Sequence, residues 1–191
     1  VEVGQDTVIL PGTMLQGKTK VGKNCTLGPD TQLTDVICGD GNHLNRVYAH
    51  SCELGDNNEI GPFVHLRPET CLHNDIKIGN FVEVKNSDVD DGTKLPHLIY
   101  CGDSDLGKNV NFGCGTVTVN FDGKNKHRCT IDEHAFIGCN TNLVAPVHVG
   151  ARAFTAAGST ITKDVPAKAL AVGRAKQVNI ENWIKEDTYK D

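Results

Sequence analysis

Large aliphatic residues recur at every sixth position along much of this chain, and a smaller residue stands two positions before many of them. The positions of the first block are Val3, Ile9, Leu15, Val21, Leu27 and Leu33. Three later blocks repeat the interval in shifted phase, at Leu54, Ile60, Leu66, Leu72, Ile78 and Val84, then at Tyr100, Leu106, Phe112 and Thr118, and finally at Ile131, Ile137, Leu143, Val149, Thr155 and Ile161. A hexad with one large and one small inward residue cannot bury its own apolar face. The pattern therefore predicts a solenoid whose successive coils cover one another.

Glycine follows the aliphatic residue in many of these hexads, as at Gly4, Gly22 and Gly61. We interpret these glycines as corners at which the backbone turns. Between Val3 and Ile161 there is room for about nine coils, a stack of roughly 43 Å at about 4.8 Å per layer of parallel strands. The expected fold class is all-β.

The six-residue rhythm breaks after Thr118. The next aliphatic residue of the series, Ile131, follows after thirteen residues, which is not a whole number of hexads. The pair Asp122-Gly123 supplies a turn, so we expect the chain to leave the wall here as an extended loop. Taken alone, this segment is a charged surface loop.

The period is also lost after Pro166. We therefore divide the chain into a β-helix domain, residues 1–165, and a C-terminal capping arm, residues 166–191. The arm is expected to form a short amphipathic helix or an extended segment, with Val178, Trp183 and Ile184 as its docking residues.

Composition limits the possible partners. The chain has 191 residues, a net charge of −5 and a pI near 5.9, so no global basic field is available to attract nucleic acid. No apolar run of about 18 residues and no signal-peptide pattern is present, so we expect neither a membrane span nor export. The eight cysteines include no Cys-x-x-Cys pair. Cys25 and Cys129 fall on small inward positions, which favours reduced core thiols and a cytoplasmic location.

Outward positions of two neighbouring coils carry candidate chemistry. With Val82 and Val84 facing inward, the strand period of two directs the residues between and around them outward. The outward trio is Phe81, Glu83 and Lys85, and the trio eighteen residues earlier is Phe63, His65 and Arg67. One full coil should stack Arg67 on Lys85. Such like charges cost about 0.2–1 kcal/mol, which a bound phosphate would reverse, although two solvated cations that splay apart would also fit.

The hexads and several longer motifs resemble a known family. Repeats of the kind aliphatic-Gly-x-x-small-x are similar to those of the hexapeptide-repeat acyltransferases, which fold as left-handed parallel β-helices. The longer motifs are GPFVHLRP, GNFVEVKNS, NVNFGCGTVTVNFDGKNK, LVAPVHVG and TAAGSTITKDVP. They resemble the acetyltransferase domain of the bacterial bifunctional N-acetylglucosamine-1-phosphate uridyltransferase and glucosamine-1-phosphate acetyltransferase, over nearly the whole chain.

The resemblance implies acetyl transfer from acetyl-CoA to the amine of glucosamine 1-phosphate, for UDP-N-acetylglucosamine synthesis. It further implies a homotrimer with active sites between subunits, and no metal. The uridyltransferase domain of that family is absent from this chain. No feature of the sequence calls for a nucleic-acid or membrane partner.

Residue by residue, the resemblance implies a general base at His97, supported by Glu83. Without the resemblance, His97 is more typical of a structural or surface histidine. A base is needed because an ammonium has no lone pair with which to attack a thioester, and a neutral imidazole can take its proton. The implied substrate-binding residues are Arg67, Lys85, Tyr100, Asn111 and Lys126, the last contributed by the loop of a neighbouring subunit.

The acetyl-CoA positions implied by the resemblance are Cys114, Asn120, Phe121, Cys139, Ala157 and Arg174. The backbone N–H of Cys114 would polarise the thioester carbonyl, and Arg174 would bind the CoA phosphates. Three of these positions depart from the family. Cys114 replaces the usual alanine, Phe121 a tyrosine and Cys139 a serine.

Three other functions compete with this one. Another hexapeptide-repeat O- or N-acyltransferase would share the fold. A zinc hydratase of the γ-carbonic anhydrase type needs three converging histidines, and the eight histidines here are scattered along the chain. A non-catalytic trimerisation module is the third alternative.

Overall fold

The computed structural model describes residues 1–184, which form 26 short strands and no helix. The strands lie on three faces, here called A, B and C, and strands of successive coils pair in parallel. The predicted fold class, a left-handed parallel β-helix of hexapeptide repeats, is confirmed.

The strands are numbered in chain order. Face A contains β1 (Glu2–Val3), β4 (Lys20–Val21), β7 (Ile37–Cys38), β10 (Cys52–Leu54), β13 (Thr70–Leu72), β15 (Asp88–Val89), β17 (Ser104–Leu106), β20 (Cys129–Ile131) and β23 (Val147–Val149). Face B contains β2 (Val8–Ile9), β5 (Thr26–Leu27), β8 (His43–Leu44), β11 (Glu59–Ile60), β18 (Asn111–Phe112), β21 (Phe136–Ile137), β24 (Phe154–Thr155) and β26 (Leu170–Ala171). Face C contains β3 (Met14–Gln16), β6 (Gln32–Thr34), β9 (Val47–His50), β12 (Val64–Leu66), β19 (Val117–Val119), β22 (Asn142–Val144) and β25 (Thr160–Ile161). Two longer strands, β14 (Lys77–Lys85) and β16 (Lys94–Gly102), run round the corner from face B to face C.

The register between coils is close to three hexads. Glu59 pairs with Lys77, eighteen residues on, and Lys77 pairs with Lys94, seventeen residues on. One coil is much longer, because Ser104 pairs with Cys129, 25 residues on. The extra residues form the predicted loop between β19 and β20, and the stack resumes its register beyond it.

Most of the predicted inward series is buried, and Leu27, Leu33 and Leu66 are fully so. Two differences stand out. Val3 and Ile9 in the first coil are 43% and 48% exposed. Tyr100 falls in the six-residue series, but it is half-buried on the wall between the buried Ile99 and Cys101, as suits the substrate-facing position that the resemblance implies. The reason is the short coil, in which Val84 pairs with Cys101 after only seventeen residues.

The glycines after the aliphatic residues have two different roles. Gly61 adopts a φ of 113°, which suits the predicted turn. Gly22 does not lie in the left-handed region. A Cβ placed on it would lie 2.5 Å from the backbone oxygen of Gly39 in the next coil. Gly22 does stand at a corner, directly after β4, but glycine is needed there for close packing between coils and not for a left-handed turn.

The stack continues past the predicted boundary at residue 165, since β26 pairs with β24. In the described part of the arm, Val178 and Trp183 are 80% and 72% exposed. The helix considered for this segment does not form within residues 166–184. The rest of the predicted arm, 185–191, lies outside the described residues.

The eight cysteines are all free. Cys25 and Cys129 are buried as predicted, and burial raises the pKa of the Cys129 thiol to about 12. Among the described residues, no helix is long and apolar enough to cross a membrane.

We expect Gly22→Ala to destabilise the chain by about 1–3 kcal/mol, because the new methyl group collides with the backbone of the next coil. Urea unfolding followed by circular dichroism measures the change. Lys18→Ala, at an exposed position nearby, is the control and should stay within about 0.5 kcal/mol of the parent chain. Equal stabilities of the two variants would contradict the close-packing role.

Candidate functional site

The corner between faces B and C carries bulky residues in an unusual backbone conformation. Phe63, Phe81 and Leu98 have φ values of 60°, 57° and 51°, and all three side chains are exposed. Left-handed residues recur at corners throughout this chain, but large side chains rarely adopt the region. The Phe63 and Phe81 rings stack as predicted, with centroids 5.4 Å apart. The predicted site residues lie on both sides of this ridge.

On face C, the two predicted phosphate-binding cations each have an acidic partner. Arg67 Nη1 lies 2.8 Å from Glu83 Oε1, and Lys85 Nζ lies 3.4 Å from Asp103 Oδ1. The expected coil register is present, since His65 pairs with Glu83. The expected like-charge repulsion is wrong for this chain, because these carboxylates neutralise both cations.

Asp103 is the centre of a buried hydrogen-bond network and is only 3% exposed. Its Oδ1 accepts from Asn86 Nδ2 at 2.6 Å, and its Oδ2 accepts from Asn120 Nδ2. Burial alone would raise the pKa of the Asp103 carboxyl. The amide donors of Asn86 and Asn120, with the charge of Lys85, outweigh burial and hold the pKa below its ordinary value. Asp103 is therefore an anion inside the wall.

Asn120 links this network to Tyr100. Its Nδ2 also lies 3.2 Å from the Tyr100 hydroxyl. Gly102 makes room for both groups, because a Cβ there would lie 2.5 Å from the hydroxyl and 2.8 Å from Asn120 Nδ2. Four predicted site residues, Arg67, Glu83, Lys85 and Tyr100, thus share face C, and Asn120 joins them from the root of the loop.

His97 lies on the other side of the ridge, where its partner is not the predicted one. Its Nδ1 is 2.8 Å from Asn80 Oδ1, one coil below. In the described part of the chain, Glu83 instead binds Arg67. Nδ1 can donate to this carbonyl oxygen, and in that tautomer of the neutral ring Nε2 is the atom that can accept a proton.

Most of the predicted acetyl-CoA positions follow His97 along the same corner. The carbonyls of His97, Cys114 and Cys139 each accept a hydrogen bond from the coil above, through Gly115, Asn140 and Gly158. Ala157 directly precedes Gly158 and continues this column. Arg174 lies at its far end, with its Cδ 3.8 Å from the position of a Cβ on Gly158.

Backbone donors are free along this column. In residues 1–184, the N–H groups of Cys114, Cys139 and Ala157 donate to no acceptor. The three side chains are small and half-buried or exposed. The corner therefore offers a row of unpaired amide donors to an extended ligand.

Two grooves flank the ridge. The groove on face C has a volume of about 920 Å³ and is lined by Tyr48, Phe81, Glu83 and Tyr100, among others. The groove on face B has a volume of about 410 Å³ and holds both His97 and Asn111. Asn111 thus shares a groove with the predicted base.

The loop presents the remaining predicted residues. Phe121 and Lys126 face each other across an antiparallel bridge, with the Lys126 ammonium 5.5 Å from the centre of the Phe121 ring. Among the described residues, Lys126 makes no ion pair. Phe121 and Lys126 make no described hydrogen bond to the predicted site residues on the wall of their own chain.

Sequence reasoning missed Asp103 and Asn80, although coil spacing could have found both. Asp103 follows Lys85 by the same eighteen residues that separate Lys85 from Arg67. Asn80 precedes His97 by seventeen residues, the length of the short coil. Applying one coil length in both directions from each candidate residue would have named them.

The described residues also include two overlapping groups of potential metal ligands on face A. They are Cys71, His73 and Asp88, and His73, Asp90 and Asp91. Each contains a single histidine, and His73 Nε2 already lies 2.9 Å from Asp88 Oδ1. Neither is the three-histidine set that a zinc hydratase needs.

The similarity to known proteins agrees with the resemblance seen in the motifs. The chain is 53% identical over 184 residues to the bifunctional protein GlmU of Geobacillus sp. (strain WCH70), covering 96% of the chain and 40% of that protein. It is 55% identical over 186 residues to GlmU of Caldanaerobacter subterraneus, covering 97% of the chain and 41% of that protein. The chain is similar in sequence to GlmU. It spans about two fifths of the length of these GlmU proteins, and the resemblance inferred from the motifs is confirmed.

No protein-family model matches the chain. Among solved structures, an Arabidopsis UDP-N-acetylglucosamine acyltransferase superposes with a TM-score of 0.58 at 15% identity, over 90% of this chain and 67% of that one. At that identity, the likeness extends to the fold alone.

The turn at Asp122 in the loop should depend on pH. The Asn125 N–H, the His127 ring and the Lys124 N–H lower the pKa of the Asp122 carboxyl to about 2. Because this pKa is depressed, the turn should be intact at pH 5 and lost as the pH falls below about 3.9 toward 2. NMR amide shifts of Lys124 and Asn125 should follow that titration.

In Asp122→Asn the acid titration of these two amides should disappear. The Asn24 N–H, which donates to the backbone oxygen of Gln5 at 3.0 Å, is the internal control and should not respond. If the Lys124 and Asn125 shifts stayed constant down to pH 2 in the parent chain, the capping role of Asp122 would be wrong.

Proposed function

We propose that this chain transfers an acetyl group from acetyl-CoA to the amine of glucosamine 1-phosphate, giving N-acetylglucosamine 1-phosphate. The observation that carries the proposal is the single column of His97, Cys114, Cys139 and Ala157 with Arg174 at its end. A base, a row of free amide donors and a cation follow one another along a corner, as an extended acyl thioester with a phosphorylated end requires.

The chemistry assigned to the column begins at His97. Its Nε2 takes a proton from the amine as nitrogen attacks the thioester carbon, and the Cys114 N–H donates to the developing oxyanion. The carbon–sulfur bond then breaks. The CoA thiolate leaves and takes up the proton held by His97, so that one amide and one thiol replace one amine and one thioester.

Charge balance supports a shared active site. The net charge of the two ion pairs, Arg67 with Glu83 and Lys85 with Asp103, is zero. Face C of one chain therefore has little net attraction for a phosphate dianion. Arg67 keeps further N–H donors free for a bidentate contact. Lys126, on a loop that projects from the wall, is the cation that a neighbouring subunit would add. We therefore propose a homotrimer.

The sugar-phosphate assignment predicts that the acceptor needs its phosphate. Incubation with acetyl-CoA and glucosamine 1-phosphate should release CoA, detected as free thiol, and plain glucosamine should react far more slowly. Arg67→Ala should weaken binding of the sugar substrate by about 1.5–3 kcal/mol and leave the KM for acetyl-CoA nearly unchanged. Arg152→Ala, at an exposed position on another corner, is the matched control.

Equal rates with glucosamine and glucosamine 1-phosphate would contradict the phosphate site. They would favour another hexapeptide-repeat acyltransferase. Absence of CoA release with any amino sugar, in a folded chain, would leave a non-catalytic module as the better explanation.

The assignment of His97 predicts a separation of binding from chemistry. His97→Ala should lower kcat by about 10²–10⁴ with little change in the KM of the sugar, because the phosphate contacts lie across the ridge. Asn80→Ala should slow turnover less, since it removes the hydrogen bond to the His97 imidazole but leaves the imidazole in place. Glu83→Gln should raise the sugar KM rather than lower kcat, because Glu83 holds Arg67.

Retention of more than about a tenth of kcat in His97→Ala would rule out histidine as the base. Tyr100 would then be the next residue to test. Oligomeric state, measured by sedimentation on the same samples, shows whether each variant still assembles.

A further inference from the structure

The buried carboxylate of Asp103 is not required by the fold of its corner. Earlier coils place Ser51, Glu69 and Asn86 in the same column, with left-handed φ values of 50°, 64° and 45°. Ser51 and Glu69 are exposed, whereas Asp103 is 3% exposed. Burying a charge is unfavourable unless donors compensate it. Turning the chain therefore does not by itself explain why an ionised aspartate, Asp103, lies inside the wall.

The donors around Asp103 are themselves candidate ligand-binding groups. Lys85 Nζ lies 3.4 Å from Oδ1, and Asn120 Nδ2 donates to Oδ2. Asn120 Nδ2 also donates to the Tyr100 hydroxyl at 3.2 Å. The Asp103 carboxylate thus contacts the Lys85 ammonium and the Asn120 carboxamide directly, and it is linked to the Tyr100 hydroxyl through Asn120.

These contacts fix which atoms remain free for a ligand. A carboxamide has two N–H hydrogens, and Asn120 uses one on Asp103 and one on Tyr100, so its Oδ1 is left as an acceptor. The Tyr100 oxygen accepts from Asn120, so its own hydrogen is left to donate. The site then presents an acceptor at Asn120 and a donor at Tyr100.

We propose that Asp103 is the positioning residue that sets this polarity, so that Asn120 accepts from an N–H or O–H of the substrate while Tyr100 and Lys85 donate to it. The inference rests on the proposed function, because it names how that same site is oriented. It also explains why a carboxylate, and not an amide, stands at position 103: an amide would let Asn120 turn over and present its N–H groups outward.

The test is Asp103→Asn, with steady-state kinetics for both substrates and thermal melting on the same protein. We expect kcat/KM for the sugar phosphate to fall about 10- to 100-fold, as for loss of a charged hydrogen bond. Asp35→Asn is the matched control, because Asp35 occupies the same corner with φ 54° in a distant coil and binds only the Lys18 N–H. It should retain parent activity.

A double-mutant cycle separates positioning from stability. If Asp103 acts through Asn120, Asp103→Asn should add less than about threefold to the loss already caused by Asn120→Ala. Fully additive losses would overturn the proposal. So would a lowered melting temperature with unchanged kcat and KM, which would make Asp103 a stability residue only.

If Asp103→Asn does not fold, the exchange variant Asp103→Asn with Asn120→Asp supplies the test. It keeps one carboxylate and one carboxamide between the two positions, but Tyr100 must then donate to residue 120. We expect a folded chain that turns over slowly. Parent-like kinetics of this variant would overturn the polarity argument.

One readout does not depend on activity. In the parent chain, the Asn120 side-chain amide should give two well-separated proton resonances by NMR, which Asp103→Asn should shift toward free-asparagine positions. Unchanged resonances would contradict the inference. If the parent chain transferred no acetyl group but these resonances shifted as expected, the proposed function would fail while the placement of Asn120 by Asp103 stood.

Discussion

The register of the parallel ladder fixes where each side chain of this solenoid lies along the stack. Each coil must lay its backbone on the one before, and glycines such as Gly22 leave room for that contact. Residues about one coil apart consequently form columns along the axis. A column can place unlike residues side by side over many coils, and the candidate site is made of two such columns on either side of one ridge.

The long coil shows how strongly that register is held. The chain departs at Asn120 and returns so that Cys129 pairs with Ser104 as if no insertion were present. Arg128 secures the return, because its guanidinium bonds to Asp105 and to the backbone oxygen of Asn86 at 3.0 Å. Asp103 secures the departure through Asn120. Both ends of the loop are thus fixed to the same two coils.

Periodicity accounts for what the sequence could predict. The inward ladder, the loop and the stacking of Phe63 on Phe81 follow from counting residues, because the solenoid converts sequence interval into spatial position. Tyr100 leaves the inward series because a coil of seventeen residues cannot be told from one of eighteen where neighbouring positions are both apolar. The sequence could place Gly22 at a corner but could not give its role, since close approach and a turn both favour glycine.

Polar partnerships were harder to predict, because they depend on side-chain direction within a column. Spacing brought Glu83 beneath Tyr100 and Asn80 beneath His97. It could not show that Glu83 would turn to Arg67 and leave the imidazole to Asn80. The intrinsic chemistry of each residue was compatible with either arrangement.

The pairing of Arg67 and Lys85 with carboxylates bears on how the proposed site would select a substrate. An unpaired Arg67 and Lys85 would attract any anion. With Glu83 and Asp103 beside them, an incoming group must compete with a carboxylate already in place, and only a ligand with several matched contacts gains enough. Under the proposed function, a phosphate that also offers sugar donors to Asn120 would meet that requirement, whereas an isolated anion would not. Pre-paired charges therefore favour specificity over affinity on this face.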